Sequence, residues 1–190
     1  GAGVLIQGSD SGAAPFSANN VVQGNFIGAD SGGTAPLPNG GNGVQITAGA
    51  NANTIGATTP GAGNLIANNA GDGVLVEDAP TVANTVRGNR IFNNNGLGLN
   101  LAGGTEDATG VTVNDAGDAD NGANGLQNYP LLTGATGATV TGSLNSTPNT
   151  TFTLDFYANT AADPSGFGEG ETYLGSATAA TDAAGAATFT

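Results

Sequence analysis

Apolar residues recur in short runs along the first hundred residues, and four of the runs follow a glycine. These four runs read "GVLI" from Gly3, "GVQI" from Gly43, "GVLV" from Gly73 and "GLNL" from Gly98. Their brevity and their β-branched residues predict short strands, and the spacing of apolar residues on a helix is absent. The pattern therefore predicts an all-β chain.

A second motif lies between these runs. The segments "NVVQGNFIG" (20–28), "NTIG" (53–56) with "GNLIANN" (63–69), and "NTVRGNRIFNN" (84–94) share the pattern N-x-[VI]-x-G-N-x-I, with the second part displaced in the middle copy. The three copies begin 33 and 31 residues apart. A repeat of about 20 to 50 residues indicates a solenoid or a related array.

Side-chain parity predicts which residues of the repeat face the interior. Because successive side chains of a strand point to opposite faces, Asn84 and Val86 share one face. After a glycine corner, Asn89, Ile91 and Asn93 are expected on the same face. Stacked repeats then predict two internal asparagine ladders, one of Asn20, Asn53 and Asn84 and one of Asn25, Asn64 and Asn89.

These features predict a right-handed parallel β-helix of three to four coils within residues 1–112, with the handedness taken from the crossover rule. The glycine- and proline-rich loop at residues 28–42 interrupts the repeat and is interpreted as a connector. The apolar residues expected to face inward are Val22, Val44, Ile46, Ile55, Ile66, Val74, Val76, Val86, Ile91, Leu99 and Leu101.

The pattern changes after Pro130. The segments "ATVTGSLNS", "TFTLDFYAN", "TYLGSATAA" and "AATFT" alternate polar with apolar residues. They predict four antiparallel strands of an immunoglobulin-like (Ig-like) sandwich over residues 132–190. Such a sandwich needs about seven strands, so the module is expected to be incomplete at Thr190. The predicted fold class is all-β, a right-handed parallel β-helix followed by a partial Ig-like antiparallel β-sandwich.

Composition removes several classes of function. The chain has no Cys, no His and no Met, and its two basic residues are both arginines. It therefore lacks the side chains for a Ser-His-Asp triad, a Cys/His zinc site or a Schiff-base lysine. The net charge of −13 would repel phosphate backbones and anionic membranes, so no nucleic-acid partner is expected. No run approaches the roughly 18 apolar residues of a membrane helix, so no membrane insertion of this segment is expected.

Arg87 and Arg90 have the parity opposite to the ladder asparagines and are expected to point outward into solvent. A pectate-lyase-type β-helix enzyme uses an outward arginine or lysine base beside carboxylates that bind calcium. Outward positions equivalent to the arginines on the neighbouring repeats are not acidic: Gln23, Phe26, Gly56 and Leu65. The sequence therefore predicts no catalytic residues and no enzyme.

An acidic stretch at residues 113–131 separates the two predicted modules and contains "NDAGDADNGANGLQNYP" (114–130). Calcium takes six to eight oxygen ligands, and a D-x-D-x-G-x-N spacing can bring alternate oxygens to one centre. Asp115, Asp118, Asp120 and Asn124 are the predicted calcium ligands. The alternative interpretation is an acidic turn whose side chains cap backbone groups.

The chain resembles a repeat region widespread in large bacterial surface and secreted proteins. The resemblance covers essentially the whole chain and is most specific in "VNDAGDADNGANGLQNYPLL" (113–132) and "LDFYANTAADPSGFGEGETYLGS" (154–176). In that family, right-handed β-helix coils lead through an Asp-rich segment into an Ig-like strand module. The resemblance implies an extracellular or cell-surface role, structural or adhesive, with no established enzymatic activity. Ala162 departs from it, because a cysteine is expected there in many relatives.

Two functions follow as expectations. The first is an extracellular structural or adhesive segment of a bacterial surface protein or filament, whose partners are other segments or copies of the same protein. Unpaired strand edges at both ends are expected to be covered, either by further parts of a longer protein or by head-to-tail assembly of copies. The alternative is a β-helix protein that binds surface glycans or degrades an acidic polysaccharide.

Overall fold

A computed structural model of the chain describes residues 1–9 and 17–190. The first unit is built from short parallel strands that form three sheets. One sheet has the order β1-β4-β7-β10 and aligns Val4, Val44, Val74 and Leu99 in register. Its strands are β1 (Val4–Gln7), β4 (Val44–Thr47), β7 (Val74–Val76) and β10 (Leu99–Leu101).

The other two parallel sheets place the predicted repeats directly on one another. One has the order β2-β5-β8 and the other β3-β6-β9. The register pairs Val22 with Ile55 and Val86, as the repeat alignment predicts. The arrangement is compatible with a β-helix-like solenoid. The strands are β2 (Val21–Val22), β5 (Thr54–Ile55), β8 (Thr85–Val86), β3 (Phe26–Ile27), β6 (Leu65–Ala67) and β9 (Arg90–Phe92).

The apolar core of the first unit lies between the three sheets. Ile46, Ile55 and Ile66 have no solvent exposure, because each is enclosed by strands of the repeats before and after it. Full burial of a side chain of this size contributes roughly 1.5–3 kcal/mol. The remaining buried members of the core that were predicted to face inward are Val44, Val74, Val76 and Ile91, with Val22, Val86 and Leu101 packed against them.

Leu99 has the inward parity that the sequence predicts, but it is not buried. Leu99 is aligned with Val74 and so follows the inward parity, but its side chain is 45% exposed. The reason is its position on β10, the last strand of its sheet. Among the described residues, no further parallel strand covers it.

Glycine is required where neighbouring repeats approach closely. Gly28 and Gly56 both have positive φ, at 83° and 76°. A Cβ on Gly28 would lie 1.8 Å from the carbonyl oxygen of Ala67, and one on Gly56 would lie 2.2 Å from Oδ1 of Asn89. Any side chain at these corners would push successive repeats apart.

The second unit is antiparallel and contains one strand more than the sequence predicts. Its two sheets have the orders β11-β12-β15 and β13-β14. Strand β11 (Leu131–Thr136) was not predicted, because its residues are all exposed and the alternation is broken by a bulge between Leu132 and Gly134. The other strands are β12 (Thr139–Asn145), β13 (Thr151–Ala158), β14 (Thr172–Ala180) and β15 (Ala186–Phe189).

The core of the second unit lies between its two sheets. Leu144, Leu154, Ala179 and Phe189 form it, and the Phe189 ring lies 5.7 Å from that of Phe156. Each sheet therefore turns one apolar face towards the other.

The segment between the units closes the end of the first core. A short 3-10 turn, Ala123–Leu126, follows the acidic stretch, and Ala123 belongs to the core cluster of the first unit. Within the described residues, no helix has the length and apolar character needed to cross a membrane.

Candidate functional site at the junction of the two units

Both predicted asparagine ladders are confirmed. In the first, Nδ2 of Asn20 donates to Oδ1 of Asn53 at 2.8 Å, and Nδ2 of Asn53 donates to Oδ1 of Asn84 at 2.9 Å. The backbone N–H of each donor residue bonds to the same oxygen, at 2.9 and 3.0 Å. The second ladder repeats this geometry through Asn25, Asn64 and Asn89. In these two ladders, the amide oxygen of each second and third member thus receives a pair of hydrogen bonds from the repeat before it.

A third ladder was missed. Asn39 donates to Asn69 at 2.8 Å, and Asn69 donates to Asn94 at 2.8 Å. The sequence predicts Asn93 on the interior face, but Asn93 is exposed and has a positive φ of 57°. This left-handed turn residue breaks the alternation and brings Asn94 inward instead. The recurrence of "NN" at residues 68–69 and 93–94 is the sequence signal that could have revealed it.

The last asparagine of two ladders is bonded by residues from beyond the parallel sheets. Oδ1 of Asn124 accepts a hydrogen bond from the backbone N–H of Asn84 at 2.9 Å, and Nδ2 of Asn124 donates to the Asn84 carbonyl at 2.6 Å. At the third ladder, the Glu169 carboxylate accepts from the N–H of Asn94 at 3.0 Å and from its Nδ2 at 2.7 Å. Burial raises the pKa of Glu169, against the hydrogen bonds from Asn94 that lower it.

Backbone groups of the last repeat are also bonded to the second unit. The Tyr157 hydroxyl accepts a hydrogen bond from the N–H of Gly88 at 2.8 Å, and the Gly170 carbonyl accepts one from Ile91 at 3.0 Å. A Cβ on Gly98 would lie 2.5 Å from Cα of Glu169, so the contact needs glycine there. The second unit therefore caps the open edge of the first.

Arg87 points outward as predicted but is not a solvated surface residue. Its Nε and one terminal nitrogen bond to the two carboxylate oxygens of Asp155 at 2.7 and 2.6 Å. Ser176 donates to the same carboxylate at 2.6 Å. Burial disfavours the charged form of Asp155, yet the hydrogen bonds from Arg87 and Ser176 and the charge of Arg87 together hold its pKa below the usual value. The pair therefore joins the two units.

Arg90 makes a weaker contact with the second unit. One terminal nitrogen lies 3.1 Å from the Glu171 carboxylate, and the guanidinium lies 4.5 Å from the centre of the Phe92 ring. Its side chain is 52% exposed. Both arginines are thus structural links between the units, a role that local sequence does not reveal.

The three predicted aspartates form one cluster. Carboxylate oxygens of Asp115, Asp118 and Asp120 all lie within 4.8 Å of one another. Asp118 accepts hydrogen bonds from the N–H of Asn128 and the hydroxyl of Ser146, each at 2.8 Å. These contacts fix one carboxylate between the junction and the second unit.

Asp120 is the member of the cluster with an unsatisfied hydrogen-bond acceptor. Its Oδ1 is buried and has no hydrogen-bond partner among the described residues. Burial, followed by the negative charges of Asp115 and Asp118, raises the pKa of Asp120. A cation at this point would neutralise the repulsion, so the three aspartates could hold a metal ion.

Asn124, the fourth predicted ligand, has a different partner in the structure. A positive φ of 49° at Asn124 directs its side chain to Asn84, where both polar atoms of the amide are used. Further oxygen ligands for a metal would have to come from elsewhere in the junction or from water.

No protein-family model matches the chain. A search of curated proteins by sequence also finds no match.

Replacing Glu169 with glutamine is expected to change how stability depends on pH. A carboxyl group with a raised folded-state pKa stabilises the fold fully below its unfolded pKa, and loses that contribution as the pH rises through the folded value. Glutamine keeps an acceptor oxygen for Asn94 but does not ionise. The variant should therefore gain stability relative to the natural protein as the pH rises from about 4 towards neutral.

Urea unfolding at several pH values measures this effect. Glu106→Gln is the matched control, because Glu106 is exposed and lies outside the ladder ends. Parallel stability curves for Glu169→Gln and the natural protein would contradict the assigned role of Glu169.

Proposed function

We propose that the chain is a structural segment of a bacterial extracellular or cell-surface protein. In this proposal the first unit is a right-handed parallel β-helix of three full coils plus strand β10, and the second is a partial Ig-like sandwich. The observation that carries the proposal is the junction. Two ladders end on Asn124 and Glu169, and Arg87 is bonded to Asp155 across the units. Contacts of this kind suit a stiff segment that bears mechanical load or sets distances along a longer assembly.

The composition and the resemblance of the sequence support an extracellular setting. A cysteine-free chain with a charge of −13 remains soluble and avoids other acidic surfaces. Partners in this proposal are other segments of the same kind of protein, with surface glycans as the target of an adhesive role. Polysaccharide binding or cleavage is the competing function.

Antibody labelling of the intact bacterium that encodes the chain tests the proposed location. Labelling of intact cells is expected, and labelling only after permeabilisation would contradict it. A glycan array and incubation with oligouronides in calcium test the competing function. Cleavage of an oligouronide would replace the structural proposal with an enzymatic one.

We further propose that the metal held by the aspartate cluster is calcium. Calcium prefers carboxylate oxygens, and the three carboxylates already lie within 4.8 Å of one another. The cluster is linked to the second unit through Asp118 and Ser146. Calcium would therefore stiffen the junction and offset part of the negative charge of the chain.

Calcium is expected to raise the melting temperature of the protein. At a tenfold excess over the dissociation constant, binding adds about 1.4 kcal/mol of stability, or a rise of a few degrees for a chain of this size. Differential scanning calorimetry in calcium and in chelator measures the rise. An equal melting temperature in both solutions would show that calcium does not bind.

Two variants sharpen the calcium test. Asp120→Asn should lose the calcium response, and in chelator it should be at least as stable as the natural protein, because a repelled, buried charge is removed. Asp107→Asn is the matched control, since Asp107 is exposed and the substituted side chain keeps an oxygen for the local turn. It should respond to calcium as the natural protein does.

A further inference from the structure

The two ends of the asparagine ladders differ chemically. Along each ladder, Nδ2 of one asparagine donates to Oδ1 of the next repeat, and in every contact except that of Asn39 with Asn69 the backbone N–H donates to the same oxygen. At the far end, the donors of Asn84 and Asn94 are bonded to Asn124 and Glu169. At the opposite end, in the first repeat, the first asparagine of each ladder has an Oδ1 that is open to a further donor. Among the described residues, nothing donates to Oδ1 of Asn20, Asn25 or Asn39.

Three strand edges surround these oxygens. Strands β1, β2 and β3 each stand at the end of their sheet, so all three edges lie on one face of the first unit. We name it the acceptor face, and define it by β1, β2, β3 and the three asparagines that open the ladders. Two of its inward apolar residues are incompletely covered, although Ile6 and Ile27 are buried. Val4 and Val22 are half-buried, whereas Val44 and Ile55, their partners in the next repeat, have no exposure.

We propose that the acceptor face is a docking surface for one further parallel β-coil with asparagines at the ladder positions. Each open oxygen occupies a ladder position whose equivalent in the third repeat accepts both an N–H and an amide Nδ2, at 2.8–3.1 Å in the three contacts between the second and third members of the ladders. An asparagine in a strand supplies both donors from one residue. The coil would also cover Val4 and Val22 and pair with the three strand edges. This inference rests on the proposed structural function and specifies the partner of that segment.

A second copy of this chain cannot dock on the acceptor face through its own last repeat, where the ladders end. Its Asn84 and Asn94 already donate to Asn124 and Glu169, and Arg87 holds the second unit over that end. Docking would require these contacts to break. The occupant is therefore a coil whose ladder donors are free, and assembly through this face has a single direction.

The test extends the full chain by one coil. A copy of residues 41–70 is placed directly before Gly1, because the register aligns Gly1 with residues 41 and 71. The added coil is expected to fold on the acceptor face. Hydrogen exchange at the added copies of Asn53, Asn64 and Asn69 should slow by more than about tenfold relative to an unstructured peptide. The melting temperature should rise by several degrees.

The matched control carries alanine at those three added asparagines. Their own oxygens would face away from the acceptor face, so alanine removes only the donated Nδ2 bonds, and protection of the added coil should fall sharply. Rapid exchange throughout the added coil with natural asparagines would overturn the proposal. So would equal protection with alanine, because the ladders would then not select the partner.

A separate measurement examines the unextended chain. Light scattering is expected to find no head-to-tail polymer, and a stable polymer built through the capped end would contradict the inferred direction. The exchange result does not depend on where the protein resides. Failure of surface labelling would therefore contradict the proposed function and leave this docking surface unaffected. Rapid exchange in the added coil would contradict the docking surface and leave the proposed function unaffected.

Discussion

Replacing Asn64 with alanine is expected to lower the free energy of unfolding by about 3–4 kcal/mol, because several buried or part-buried polar groups lose their partners at once. Asn64 is 1% exposed. Its oxygen accepts from the N–H and Nδ2 of Asn25, both at 3.0 Å, and its Nδ2 donates to Asn89 at 2.9 Å and to the Val22 carbonyl at 2.8 Å. Urea unfolding measures the loss.

Asn95→Ala is the control for this substitution. Asn95 is exposed, and only its backbone takes part in the contacts between repeats. A surface change of this kind should alter stability by less than about 0.5 kcal/mol. Equal losses for the two variants would show that the ladder contributes no special stability.

Arg87→Ala is expected to lower the free energy of unfolding by about 2 kcal/mol, because it leaves the Asp155 carboxylate without its charged partner. The Asp155 side chain is 11% exposed, whereas that of Arg87 is 36% exposed. Solvent therefore screens the pair enough to keep the loss below that of a fully buried ion pair. A double-mutant cycle with Asp155→Ala should give a coupling energy of at least about 1 kcal/mol.

Acid unfolding provides a second measurement of the Arg87 contact. The folded-state pKa of Asp155 is lowered, so its stabilisation is present above the unfolded pKa and is lost as the pH falls through the folded value. Arg87→Ala should weaken this acid dependence. Arg90→Ala is the matched control, since the half-exposed Arg90 pair should cost no more than about 0.5 kcal/mol. Identical effects of the two substitutions would refute the special role of Arg87.

Local alternation was sufficient to predict the parallel repeats and two of the three ladders. Because side chains alternate along a strand, a few residues are enough to predict which face Val44 or Ile55 occupies. The same assignment then holds at the equivalent position of each repeat. The same rule failed at Asn93, where a left-handed backbone shifts the register by one residue. At Leu99 the rule gave the correct face but not the exposure, since parity gives the direction of a side chain and not what covers it.

The junction was harder to predict because its partners are distant in sequence. Arg87 and Asp155 are 68 residues apart, and Asn94 and Glu169 are 75 apart. Neither acidic residue belongs to a local motif that names its partner. The aspartate cluster was predictable, because Asp115, Asp118 and Asp120 lie within one short turn. The role of Asn124 was not, since it depends on where the turn directs a single side chain.

The uniform direction of the ladders gives the first unit an electrical polarity. In every ladder contact, Nδ2 of the earlier repeat donates to Oδ1 of the later repeat, so each bonded oxygen points towards the first repeat. Three rows of aligned dipoles place partial negative charge at one end of the stack and partial positive charge at the other, as aligned peptide units do in a helix. The Glu169 carboxylate lies at the positive end. The positive end of the first unit thus attracts the negative charge of Glu169, which is partly buried against the last repeat.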